Sequence, residues 1–119
     1  KNVRQRVTIH RMIHAPVQEV ESRARLLVEA LSALPGARRR FSVLPVQSTI
    51  GGGSMPGEEI SSFAVAVEGE ALHDIARALR AHRPPIFGRI ARGRLVLDFR
   101  TVLPGEEEHI LRFFANAGA

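Results

Sequence analysis

Arg92 and Gly93 stand between two runs, 86–90 and 94–100, that alternate apolar and polar residues. That arrangement constrains the chain more than any other feature. Strands this close in sequence can be joined only antiparallel, through a tight turn in which glycine relieves the backbone. With Arg92 and Gly93 in the turn, Ala91 faces Arg94, Ile90 faces Leu95 and Arg89 faces Val96. Side chains alternate across a strand. Ile86, Gly88, Ile90, Leu95, Leu97 and Phe99 therefore make one face, apolar enough to be a core. Phe87, Arg89, Val96, Asp98 and Arg100 make the other.

An apolar sheet face needs a cover, and the sequence supplies three amphipathic segments. After Pro16, residues Val17, Val20, Ala24, Leu27, Val28, Leu31 and Leu34 recur at helical spacing, and Pro35-Gly36 stops the run. Proline suits a first helical position, where its missing N–H would have no partner. Residues 70–81 carry Leu72, Ile75, Ala76 and Leu79 on one stripe, ended by Pro84-Pro85. Residues 106–115 carry Ile110, Leu111, Phe113 and Phe114. Two further strands are expected at 41–47 and 61–67, the latter with Phe63, Val65 and Val67 on one face. Between them, 48–57 holds four glycines and a proline, which no regular helix survives. Residues 1–15 read as an extended lead-in. The expected fold is α+β in two layers: a small, mainly antiparallel sheet with helices packed on one face.

At 119 residues and 45% hydrophobic content, the chain suffices for a single domain over 1–119. No cysteine is present, so disulfides and thiolate chemistry are excluded. No apolar run approaches the roughly 20 residues of a membrane helix, and a cytoplasmic location without membrane contact is expected. The five histidines show no metal-ligand spacing, and no nucleophile elbow gathers Ser, His and Asp. Neither a metal site nor a self-contained catalytic residue is expected. The net charge of +5 comes from sixteen Arg against one Lys. Such a balance fits a phosphate-bearing partner through Arg38, Arg39, Arg40, Arg77, Arg80 and Arg83, or simply an arginine-rich solvated surface.

Three features are candidates for a site. Arg89 and Asp98 are diagonal neighbours on the second hairpin face, where they form either a cross-strand ion pair or an anion-receiving guanidinium oriented by Asp98. Arg100 shares that face. The backbone N–H groups of Gly51, Gly52, Gly53 and Ser54 can approach an anion, or the glycines can merely permit a sharp bend.

Residues 44–57, through Gly51-Gly52-Gly53-Ser54-Met55-Pro56-Gly57, are similar to a stretch of bacterial selenocysteine synthases, the L-seryl-tRNA(Sec) selenium transferases. Pro85-Ile86-Phe87-Gly88-Arg89-Ile90 with Gly93-Arg94-Leu95-Val96-Leu97-Asp98-Phe99-Arg100-Thr101-Val102 resembles that family's C-terminal hairpin. Arg11-Met12-Ile13 and the helix after Pro16 resemble its lead into the same domain. Ile60-Ser61-Ser62 departs from the family's usual Leu-Pro-Ser. The resemblance implies the C-terminal small domain of a fold-type-I pyridoxal-phosphate enzyme, in which selenium from selenophosphate replaces the seryl hydroxyl on Ser-tRNA(Sec). It implies the cofactor as electron sink, tRNA(Sec) as partner, a homo-oligomer at full length, and Arg100 near substrate. The cofactor's Schiff base needs an internal lysine, and only Lys1 exists. The chain, whose first residue is not Met, is therefore expected to be an inactive part, its large cofactor domain lying elsewhere in the polypeptide. A related pyridoxal-phosphate lyase or aminotransferase-like protein, and a stand-alone basic RNA-binding module, remain the alternatives.

Overall fold

The periodic segments become three helices and four strands in a computed structural model that describes residues 15–48 and 60–117. They are α1 (Val17–Ser32), β1 (Arg40–Ser48), β2 (Ile60–Glu68), α2 (Leu72–Ala81), β3 (Arg89–Ala91), β4 (Arg94–Asp98) and α3 (Glu107–Ala117). The sheet runs β1-β2-β4-β3, and every neighbouring pair is antiparallel. The hairpin register matches the one read from the turn: Arg89↔Val96, Ile90↔Leu95, Ala91↔Arg94. Arg92 (φ 52°) and Gly93 (φ 76°) both adopt the left-handed backbone that such a two-residue turn requires.

One sheet face meets all three helices. Phe41, Val65, Val67, Leu95 and Leu97 from the strands pack with Val20, Ala24, Leu27 and Leu31 of α1, Leu72, Ile75 and Leu79 of α2, and Ile110 and Phe114 of α3. In α1 the four buried positions keep the spacing of a single helical stripe, so one face of the helix lies wholly on the sheet. The T-shaped contact of Phe41 with Phe114, 5.3 Å between ring centroids, joins the start of β1 to α3. His82, just after α2, stacks edge-on with His109 and Phe113 and so ties the end of that helix to α3.

Several boundaries differ from the sequence reading. Pro16 is the extended residue before α1 (φ −60°, ψ 140°), one position earlier than a first helical residue. The α2 helix begins at Leu72 because Ala71 takes a left-handed conformation (φ 59°) that breaks the run from Glu70. Residues 86–88 lie beside β4 without forming a strand. Ile86 N–H bonds instead to the Leu79 carbonyl at the end of α2. The fourth strand ends at Asp98, not Arg100, since Thr101 N–H turns back to the Asp98 carbonyl. Alternation stops there, and Arg100 leaves the charged face for the interior.

Candidate functional site

The hairpin and the segment before it enclose a cleft of about 340 Å³. Gly88 makes that closeness possible: a Cβ there would meet Leu97 Cδ2 at 2.6 Å and Leu95 Cδ1 at 2.8 Å. The backbone therefore presses onto β4, while Phe87, on the opposite side of the chain, is 64% exposed. Phe87, Pro85 and the buried Val96 supply apolar wall. Arg89, Asp98, Thr101 and Glu106 supply polar groups.

The charges of this cleft are not equivalent. The Asp98 carboxylate accepts from Ser62 Oγ at 2.6 Å and from the Arg100 N–H at 3.0 Å. Glu106 Oε1 accepts from Leu103 N–H at 2.9 Å. Both acids are thus engaged within the fold. Among the described residues the ion pairs are Arg23–Glu107, Arg25–Glu21 and Arg77–Asp74. Arg89 belongs to none of them. The cross-strand pair with Asp98 does not form, because Ser62 from the neighbouring strand takes that carboxylate. Arg89 and Asp98 nevertheless line the same cleft.

Arg100 lies elsewhere and is only 4% exposed. Its Nη1 donates to the Ala15 carbonyl and its Nη2 to the Ser61 carbonyl, each at 2.6 Å. Beside it, Arg23 of α1 donates to Glu107 Oε2 at 2.8 Å and to the Val102 carbonyl at 2.6 Å. Its guanidinium also sits 5.2 Å from the centroid of the Phe99 ring. Burial raises the Glu107 carboxyl, but the Arg23 hydrogen bond and charge, with N–H groups of Glu107 and Gly105, outweigh it and leave the group below its ordinary 4.5. These two arginines fix the turn that links β4 to α3. Gly51, Gly52, Gly53 and Ser54 lie outside the described residues.

Sequence reasoning missed Ser62 and Arg23. Ser62 alternates with Phe63, Val65 and Val67, which places it on the face turned away from α1, α2 and α3. Only the pairing of β2 with β4 brings it to Asp98, and a helix separates those strands in the sequence. Arg23 looked like any polar residue on the outer face of a helix.

No lysine occurs among the described residues, so none can carry an imine to pyridoxal phosphate. The cleft offers a cofactor phosphate one unengaged guanidinium, Arg89. The described residues do not by themselves fit that cofactor. They also hold no cluster of three His, Asp or Glu residues able to bind a metal ion, and no helix long and apolar enough to cross a membrane.

A family model described as L-seryl-tRNA selenium transferase matches residues 1–103. The chain is 38% identical over 112 residues to the L-seryl-tRNA(Sec) selenium transferase of Hyphomonas neptunium, covering 92% of this chain and 24% of that protein. It is 35% identical over 102 residues to the enzyme of the same name from Moorella thermoacetica, covering 84% of this chain and 22% of that one. With the namesake from Clostridium perfringens it shares 30% identity over 113 residues, 93% of this chain and 24% of the relative. The chain thus spans about a quarter of the length of the relatives it matches. These matches favour neither a related lyase nor a stand-alone RNA-binding module.

Proposed function

The chain belongs to the L-seryl-tRNA selenium transferase family, in which it corresponds to the C-terminal domain, and on that premise we propose that it is the single small domain of a pyridoxal-phosphate enzyme converting Ser-tRNA(Sec) to selenocysteinyl-tRNA(Sec) with selenophosphate. The observation that carries this reading is the match over residues 1–103, together with the three relatives described above, each of which bears the transferase name. In this reading the cofactor and its lysine belong to the large domain, since the only lysine here is Lys1. Bound there, the cofactor supplies an electron sink for exchange at the seryl β-carbon. The complete enzyme is a cytoplasmic homo-oligomer, and tRNA(Sec) is its macromolecular partner.

The contribution of this chain is shape and charge rather than a reacting group. Its helices hold a sheet whose other face carries the Arg89 cleft. The Gly51–Gly53 backbone and Ser54 remain the proposed contacts to an anion on the substrate side. Arg100, buried on two carbonyls, holds the region before α1 against the start of β2. The test is reconstitution: the 119-residue chain alone makes no selenocysteinyl-tRNA, and the full polypeptide with pyridoxal phosphate does. Activity of the chain alone would overturn this assignment.

A further inference from the structure

Basic charge gathers at one end of the sheet. Arg40 pairs with Glu68 across β1 and β2, Val67 with Leu95 across β2 and β4, and Arg94 with Ala91 across the hairpin. Carried one residue further, that register sets Glu68 between Arg40 and Arg94 in a single row. Phe41, Val67 and Leu95, each one residue away, face the helices, so the row projects from the opposite side of the sheet. Arg92 stands in the adjoining turn, and Arg38 and Arg39 lead into β1. The Arg39 stem lies on Gly69, where a Cβ would meet its Cγ at 2.8 Å, and its Nη2 donates to the Glu70 carbonyl at 3.2 Å. This contact fastens the arginine run to the turn after β2.

The described residues hold thirteen arginines and ten acidic side chains. Five of those arginines lie at this end, with two of the acids, Glu68 and Glu70. The remainder is eight against eight, so the net positive charge of the described fold sits here. Elsewhere arginines come with acids: Arg25 with Glu21, Arg77 with Asp74, Arg23 with Glu107. Arg38, Arg40, Arg92 and Arg94 take part in no ion pair or side-chain hydrogen bond among the described residues. An arginine-rich composition alone would spread its excess over the whole surface. Concentrating it costs self-repulsion, which a bound polyanion relieves.

Adjacent strands lie roughly 4.8 Å apart, so Arg40 and Arg94 bracket about 10 Å of sheet. That is wider than one phosphate and suits a chain of them, each met by a guanidinium fork. The exposed large hydrophobic residues, Leu26 and Phe87, both lie outside this row, which therefore lacks the apolar centre of a protein–protein contact. No exposed aromatic ring stands in it to stack on a base. We propose that this end of the sheet, through Arg38, Arg40, Arg92 and Arg94, binds the sugar–phosphate backbone of RNA without reading its bases. The choice of RNA among polyanions rests on the proposed function, in which a tRNA carries the substrate.

The experiment titrates the full-length polypeptide with tRNA(Sec) and with a serine isoacceptor at salt concentrations from about 50 to about 200 mM. Arg40→Gln combined with Arg94→Gln is expected to weaken both complexes about tenfold and to reduce the salt slope by about two. Arg92→Gln alone, at the exposed turn and outside the strands, is expected to weaken both about threefold and to reduce the slope by about one. Arg77→Gln with Arg80→Gln removes the same charge as the first pair from α2, across the sheet, and is expected to leave both affinities within about twofold. Equal losses in the two Gln pairs would show that net charge alone matters and would overturn the proposal. So would no loss in the Arg40 and Arg94 pair, a loss with an unchanged salt slope, or a loss confined to one tRNA. Unchanged RNA affinity with an altered assembly mass by light scattering would give the surface to an acidic protein partner instead. Conversion of Ser-tRNA(Sec) by the unaltered polypeptide keeps the two readings apart. Conversion without the Arg40 and Arg94 effect defeats only the RNA surface, and the effect without conversion defeats only the enzymatic reading.

Discussion

Arg100 and Ala15 are 85 positions apart in the chain, yet the guanidinium Nη1 of one lies 2.6 Å from the carbonyl oxygen of the other. The second Nη reaches Ser61 at the same distance. One buried side chain thus joins Ala15, two residues before α1, to the start of β2 and the turn after β4. Its planar fork allows this: two nitrogens point to two carbonyls from a single rigid group.

Replacing Arg100 with Ala should therefore destabilise the fold by about 3 kcal/mol, because two carbonyls lose charged donors and a buried side chain is removed. Arg100→Lys should recover less than half, since a point-like ammonium cannot match the fork. Urea unfolding of the three proteins measures this. Unchanged stability with lost transferase activity would move Arg100 from scaffold to substrate contact.

Gly88→Ala should cost about 1–3 kcal/mol, because the new methyl must displace Leu95 and Leu97, both fully buried. Gly93→Ala meets no atom within 4 Å, and only its φ of 76° opposes the change. That backbone term is about 1–2 kcal/mol. Denaturant midpoints should show repacking around the first site and pure backbone strain at the second. A neutral Gly88→Ala would mean that 85–89 does not press on β4.

The hairpin was legible because its signal is local: one turn dipeptide sets register and faces together. The helical stripes were legible for the same reason, and residues such as Leu27, Ile75 and Ile110 are buried as their spacing demands. What failed was non-local. Asp98 pairs with Ser62 because β2 and β4 are neighbours, a fact no short window contains. Extending the alternation two residues past the true end of β4 puts Arg100 on the charged face, whereas a turn there redirects the chain inward. Ala71 shortened α2 through a left-handed backbone that its residue type does not announce.

Glu107 gives a pH signature. Its folded carboxyl lies below the ordinary 4.5 despite partial burial, owing to Arg23 and nearby N–H groups. A depressed carboxylate contributes stability that is fully present above its unfolded value and is lost as pH falls through the folded one. Glu107→Gln should accordingly lower Tm near pH 7, and the two proteins should converge as the pH falls through and below the ordinary carboxylate range. The pair is partly exposed, so solvent screening keeps the difference small. Parallel Tm curves across that range would show that Arg23–Glu107 adds no charge-dependent stability.

The charge of +5 should give the chain weak affinity for RNA. Anisotropy titration with tRNA(Sec) and a serine isoacceptor should yield similar affinities, falling about tenfold or more between 50 and 200 mM salt through counterion release. No tyrosine or tryptophan is available to stack on bases. Tight, salt-tolerant binding of tRNA(Sec) alone would place recognition in this domain.

The most direct measurement is single-turnover conversion of Ser-tRNA(Sec), with selenophosphate and pyridoxal phosphate, by the full polypeptide and by the 119-residue chain in parallel. Selenocysteinyl-tRNA should form with the full polypeptide and be absent with the chain, whose one lysine is Lys1. Product from the chain alone, or none from a full polypeptide that has bound its cofactor, would contradict the assignment of this chain as the small domain of a selenium transferase.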